Sequence, residues 1–219
     1  DYWREFEQPK VIVPAIEDEV SYAPDYLGYC GNDKTSIIIP PSVPFALAIL
    51  NSPVSWWITR MTFASKQGGY YEFKPMYFSQ LPIPSATMEQ QALCERLAQA
   101  LIWLFGQEAS QKTDTAPMAL MKAYFEQWLN GLVYELYFPG ELHDRKLNLF
   151  DETQALNPSL LAAVNALPDL SNLVEIFEMA YDTNSSLRSM LFSLHSLESV
   201  RVIEEPLGSE VAASSDVEP

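Results

Sequence analysis

Residues 65–84 read SKQGGYYEFKPMYFSQLPIP, and the last four, Leu81-Pro82-Ile83-Pro84, decide how the chain divides. Each proline removes a backbone donor and holds the residue before it extended, so neither a helix nor a central strand runs through this segment. Upstream, short β-branched runs lie between Pro, Gly, Asn and Asp. Downstream, apolar residues recur every three or four positions. The expectation is an α+β fold: a mixed α/β region over residues 1–85, a helical region over 86–203 and a disordered acidic tail over 204–219.

Working back from Leu81, residues 11–16 (VIVPAI) and 36–39 (SIII) read as strands. Residues 22–34 between them hold Gly28, Gly31 and Asn32-Asp33, a hairpin-like connection. Pro44 suits a helix start, and residues 45–50 and 56–63 give two short apolar helices broken at Asn51-Ser52-Pro53.

Working forward, Thr87 and Gln90 have the spacing of a capping box, and Leu93, Leu97, Leu101, Leu104 and Phe105 follow on one stripe. A polar linker is expected over residues 106–116. Pro117 opens a second helix with Met118, Met121, Phe125, Trp128, Leu132 and Leu136 on one face, stopped at Pro139-Gly140. A connection of this length lets the two helices pair antiparallel. Shorter helices are expected over 160–167, 172–181 and 186–197, then a strand over 200–203. The tail from residue 204 carries five acids and no base.

The chain has 219 residues, 48% of them apolar and 12% aromatic, the composition of a folded protein. Cys30 and Cys94 lie in no metal-binding spacing and are expected to be free thiols in a reducing compartment, and no apolar run approaches the length that spans a bilayer. The expected location is cytoplasmic, with no membrane partner. The chain opens on Asp1 rather than Met, the expected mark of a piece of a longer protein.

Several chemistries lack their residues. Eight glycines include no GxG, so no glycine-rich turn is present to cradle a nucleotide. His143 and His195 have no GxSxG nearby and read as structural or surface groups. Asp33 is followed directly by Lys34, not by the carboxylate-and-lysine spacing of metal-dependent nucleases. No catalytic residue and no metal site is therefore assigned.

Charge is uneven. The chain carries a formal −16, yet residues 60–84 hold Arg60, Lys66 and Lys74 against Glu72 alone. Residues 1–85 sum to −3 (six bases, nine acids) and residues 86–219 to −13 (seven bases, twenty acids). A basic island in an acidic chain points to a partner for the first region.

The order of Phe6-Glu7-Gln8-Pro9-Lys10-Val11-Ile12-Val13-Pro14, Asn51-Ser52, Gly68-Gly69-Tyr70 and Leu81-Pro82-Ile83-Pro84 resembles the TaqI-like C-terminal specificity domain of adenine-specific DNA methyltransferases, including fused type IIG restriction-modification enzymes. Residues 132–137, 187–191 and 200–204 are also similar to the ends of such enzymes. The resemblance implies a DNA target-recognition domain that positions duplex DNA for a catalytic domain N-terminal to it. That domain would carry the S-adenosylmethionine site and an Asn-Pro-Pro-Tyr-type motif. Neither is expected within this chain, whose one Pro-Pro pair, Pro40-Pro41, lies between Ile39 and Ser42. The implied partners are double-stranded DNA and the methyltransferase domain of the same parent.

On this reading the Gly68 and Gly69 amides reach a phosphate, Lys66 and Lys74 neutralise others, and Arg60 contacts phosphate or guanine. Lys10 and Lys34 are weaker candidates. The bland reading makes Gly68-Gly69 a hairpin turn and Tyr70, Phe73, Tyr77 and Phe78 core residues. An alternative function is an acidic protein-interaction module, a DNA mimic or scaffold without DNA contact, which the net charge favours.

Overall fold

The computed structural model describes residues 3–111, 116–156 and 169–205. Its fold is α+β. After a 3-10 turn at Trp3–Glu5, β1 (Lys10–Pro14) becomes the middle strand of a three-stranded antiparallel sheet. On one side lies β3 (Ala23–Asp25), with Lys10 opposite Asp25, and on the other β4 (Thr35–Ile38), with Pro14 opposite Thr35. Both neighbours run against β1, so residues 26–34 carry the chain from one edge of the sheet to the other. The two strands read from sequence pair antiparallel as a hairpin's would, but the connection between them is not a simple loop, since it carries β3 on the far side of β1.

The first predicted strand bends at Ala15. Its N–H donates to the Lys34 carbonyl at 2.9 Å and its carbonyl accepts the Phe73 N–H at 2.9 Å. β2 (Ile16–Glu17) then pairs antiparallel with β5 (Tyr71–Glu72) in a separate two-stranded ladder. One residue therefore joins both ladders.

One helix packs on the larger sheet and a second follows it around a corner. α1 (Val43–Leu50) starts on the Ser42 hydroxyl, which accepts the Phe45 N–H at 3.3 Å. The Ser52 hydroxyl accepts the Ser55 N–H at 3.3 Å and so starts α2 (Pro53–Thr62), with Pro53 where no donor is needed. At the corner the Asn51 side chain accepts the Tyr22 N–H and donates to its carbonyl, both at 3.0 Å. The Asn-Ser pair thereby ties the helix corner to the start of β3. α1 lies between two cores: Leu47 and Leu50 pack with Val11 and Val13 of the sheet, while Ala48 and Ile49 pack into the helical half.

α3 (Pro75–Phe78) leads to the Leu81–Pro84 break, and α4 (Met88–Gln111) follows. The capping box forms as expected, Gln90 N–H to Thr87 Oγ1 at 3.2 Å and Thr87 N–H to Gln90 Oε1 at 2.9 Å. The predicted linker is shortened, because α4 continues through Gly106 to Gln111. A single helix glycine costs roughly 1 kcal/mol, too little to end a helix whose apolar face is already buried.

α5 (Ala116–Tyr137) runs antiparallel to α4. The Lys122 ammonium lies 5.3 Å from the Phe105 ring centre, and thirteen residues on, the Glu135 charge bears on Cys94. The Pro139 stop of α5 also begins α6 (Pro139–Asp144). α7 (Leu149–Leu156), α8 (Leu170–Tyr181), α9 (Ser186–Ser193) with a 3-10 turn at Leu194–Ser196, and α10 (Glu198–Glu204) complete the helical half. They enclose Trp128, whose Nε1–H donates to the buried Thr153 hydroxyl at 2.8 Å.

The strand expected over 200–203 is α10. Val200 and Ile203, three apart, are both buried, as on one helix face. Glu141 Oε1 accepts the Glu198 and Ser199 N–H groups at 3.0 and 3.5 Å, and Arg60 holds the other end. These distant caps override the β propensity of a four-residue run. Glu204, placed in the tail from sequence, closes that helix and accepts the Tyr134 O–H at 3.0 Å. The expected helix over 160–167 and the tail beyond residue 205 lie outside the described residues.

Candidate nucleic-acid interface

Of the island residues, Lys66, Glu72 and Lys74 are brought together by a β-hairpin over residues 64–72. Glu72 N–H donates to the Ala64 carbonyl at 2.9 Å, Lys66 N–H to the Tyr70 carbonyl at 2.7 Å, and Ser65 bridges Tyr71. Gly68 and Gly69 form the tip, both at φ +85°, the left-handed region where a side chain is strained. No atom lies within 4 Å of where a Gly69 Cβ would stand, so the tip faces open space there, while a Gly68 Cβ would meet the Tyr70 ring at 3.5 Å. The glycines are a hairpin turn and, by the same geometry, an exposed pair of amides.

Lys66 and Lys74 flank this tip, but neither is a free charge. Both meet the Glu72 carboxylate, Lys66 at 3.3 Å and Lys74 at 3.1 Å. The Lys74 contact first, then Lys66, holds Glu72 below the usual carboxylate range against the opposing effect of burial. Both lysine side chains remain about half exposed.

Arg60 stands elsewhere. Its guanidinium donates to the Ile203 carbonyl at 2.9 Å and to the Glu205 carbonyl at 3.4 Å, and lies 5.9 Å from the Trp56 ring centre. It caps the C-terminal end of α10, where carbonyls without helical partners attract a cation.

Three of the four aromatic residues pack inward as the bland reading expects, and Tyr70 departs from it. Phe73 is buried and packs with Tyr22, Phe63 and Phe78, and Phe63 stacks on Tyr77 at 5.1 Å. Tyr70 alone of the four is exposed. His143 Nε2 lies 2.8 Å from Glu135, which also accepts the Phe150 N–H at 2.9 Å, and His195 Nδ1 lies 3.2 Å from Glu204. Each histidine joins two helical segments. Cys30 is exposed, whereas burial pushes the Cys94 thiol up to about 12. Lys34 pairs with its neighbour Asp33 at 3.4 Å on the surface.

Lys10 is the largest departure from expectation. Read as a weak DNA contact, it is wholly buried, its ammonium 2.5 Å from Asp25 Oδ2 and also on the Phe6 carbonyl. Asp25 Oδ1 accepts the N–H groups of Leu27 and Gly28 at 2.8 and 3.1 Å, and Oδ2 that of Tyr29 at 2.8 Å. Burial would raise the Asp25 pKa, but Lys10 and these amides outweigh it and hold the carboxyl below its usual range. The sequence carried one signal for this loop: an Asp three residues before a Gly, a pattern in which the carboxylate bonds the amides that follow.

Among the described residues no group of His, Cys, Asp and Glu could hold a metal ion, and no helix is long and apolar enough to cross a membrane. Comparison with family models, curated proteins and solved structures yields no match to this chain.

Proposed function

We propose that this chain is the DNA target-recognition part of an adenine-specific DNA methyltransferase or a fused type IIG restriction-modification enzyme. It would hold duplex DNA for a catalytic domain that binds S-adenosylmethionine. The observation that carries the reading is the hairpin over residues 64–72, whose bare Gly68-Gly69 tip stands between two accessible lysines. Backbone amides with nearby ammonium groups suit phosphate oxygens, and such contacts set register rather than sequence. The segments that carry the family resemblance also converge. β1 holds the first, Asn51-Ser52 forms the helix corner bonded to Tyr22, and the hairpin joins β2.

Lys66→Ala and Lys74→Ala in the parent enzyme test this by fluorescence anisotropy with cognate and noncognate duplexes. Each substitution is expected to weaken both duplexes alike and to lower the salt slope by about one unit. Unchanged affinity and slope in both variants would leave the hairpin a structural turn. A second reading, an acidic protein-interaction module, is favoured by one observation: Arg60, Lys66 and Lys74 all have partners within the chain. Saturable binding to a basic peptide, with no duplex binding at low salt, would establish it instead.

A further inference from the structure

The two cores do not close on each other everywhere. Where β3 and the residues before it, the Asn51 corner, α4 and α5 come together, they leave a cavity of about 790 Å³, of the size that holds a small molecule. Leu47 from the core of the sheet and Ala98, Leu101 and Leu129 from the helical core line it, and all four are buried. The cavity therefore opens on the seam between the cores, with mostly apolar walls.

Its charged groups have one sign. Glu19 and Glu126 stand at the exposed rim, and among the described residues no Lys, Arg or His lines the cavity. Carboxylates are common over the surface of a chain at −16, where most lie on solvated faces. These two differ in bordering an apolar hollow. Its walls shield Glu126 from enough water to raise its carboxyl above the usual range, and the Lys122 ammonium one turn earlier on α5 offsets only part of that effect. Trp56 and Phe105 also line the cavity, and each already holds a cation of the chain against its ring, Arg60 at 5.9 Å and Lys122 at 5.3 Å. Aromatic faces attract ammonium groups, and carboxylates on the same cavity add to the attraction.

We propose that this cavity binds a small organic amine, its apolar body seated on Leu101 and Leu129 and its ammonium group at the rim, with Glu126 and Glu19 as charge partners. Trp56 and Phe105 supply the aromatic wall. A ligand that also carried a carboxylate would meet two like charges, which disfavours amino acids and S-adenosylmethionine. This site is independent of the DNA-recognition reading.

Calorimetry on the full 219-residue chain, at neutral pH and low salt, compares probes that share one body and differ in the end group: 4-phenylbutylamine, 4-phenylbutanol and 4-phenylbutyrate. The amine is expected to bind saturably, the alcohol about tenfold more weakly and the carboxylate not measurably, because a charge-assisted hydrogen bond at a half-open rim contributes about a factor of ten. In Glu126→Gln the amine is expected to fall to the affinity of the alcohol, while the alcohol binds as before. That substitution is isosteric and lies at an exposed position, and a melting curve checks the fold. In the unaltered chain, intermolecular NOEs from the phenyl protons of the amine should reach the Leu101 and Leu129 methyl groups.

Equal affinities for amine and alcohol would overturn the proposal, as would amine binding that is unchanged in Glu126→Gln. NOEs confined to methyl groups outside the cavity would assign the amine to another surface. No saturable heat from the amine at millimolar concentration would leave the cavity without a ligand of this class.

Discussion

At the scale of single residues, Lys10 and Glu72 show how two charges of similar appearance in sequence differ once placed. Lys10 and Asp25 are sealed from solvent but lie near the surface, so removing one partner should cost about 3 kcal/mol, the low end for a broken buried pair. Lys10→Met is predicted to lower the urea midpoint accordingly. Because the Asp25 carboxyl is held below its unfolded value, its contribution is present above about pH 4 and lost as pH falls through the folded pKa. Urea midpoints measured from neutral to acid pH should therefore fall less steeply in the Lys10→Met chain. Equal slopes would mean that the pair is not the acid-sensitive contact. Glu72 is the opposite case. Its pairs with Lys66 and Lys74 are surface pairs, and Glu72→Gln should leave the urea midpoint unmoved while freeing two cations. Duplex affinity at low salt is predicted to rise several-fold by the loss of one negative charge. A fall would show that Glu72 is needed to aim the lysines.

At the scale of elements, Gly131 tests how α5 meets the helices packed on it. A Cβ there would lie 2.7 Å from Leu191, 3.1 Å from Leu149 and 3.2 Å from Leu194, all buried. Alanine gains roughly 1 kcal/mol of helix propensity, but overpacking three leucines costs about 1–3 kcal/mol. Gly131→Ala is expected to lower the thermal midpoint, whereas an increase would show that the leucine tips move freely. Elements with local causes were legible in sequence. The Thr87–Gln90 box, the Pro44 helix start and the Leu81–Pro84 break all act through neighbours. α10 was not, because what converts its β-branched run into helix comes from Glu141 and Arg60, 57 and 143 residues away. The same distance hid the role of Arg60, read from sequence as a contact to phosphate or guanine and found in the fold as a helix cap. At the candidate site, the Gly-Gly turn and its flanking lysines were legible, whereas the loop over Tyr26–Tyr29 left only the Asp25–Gly28 spacing as a signal. Its anchor, Lys10, pairs with Asp25 only after the sheet has formed.

At the scale of the whole molecule, the absence of a glycine-rich cofactor turn and of an Asn-Pro-Pro-Tyr motif predicts no binding of S-adenosylmethionine by the chain alone. Saturable heat in a calorimetric titration at micromolar cofactor would contradict this. Duplex binding by the isolated chain should also be poor. Residues 1–85 sum to −3 and the remainder to −13, and the three island cations are paired internally, so long-range repulsion offsets much of any local attraction to phosphate. No measurable binding is expected at physiological salt, and weak binding at low salt.

The structure sets where a shortened chain should end. Glu204 and Glu205 belong to the closure of α10 by Tyr134 and Arg60, so a truncation that spares the fold begins after residue 205. The segment removed holds Glu210, Asp216 and Glu218 and no base, which takes the net charge from −16 to −13. The truncated chain is predicted to bind duplexes several-fold more tightly at low salt, with no new sequence preference, because removing charge adds no geometry. A longer deletion after Ile203 should instead lower the thermal midpoint, since it takes away the carboxylate that Tyr134 holds and one carbonyl that Arg60 holds. Anisotropy at two salt concentrations and a melting curve for each truncation separate the two effects. Tight, sequence-selective binding by the untruncated chain at physiological salt would show that local contacts outweigh the net charge and that the recognition surface is complete without a catalytic domain.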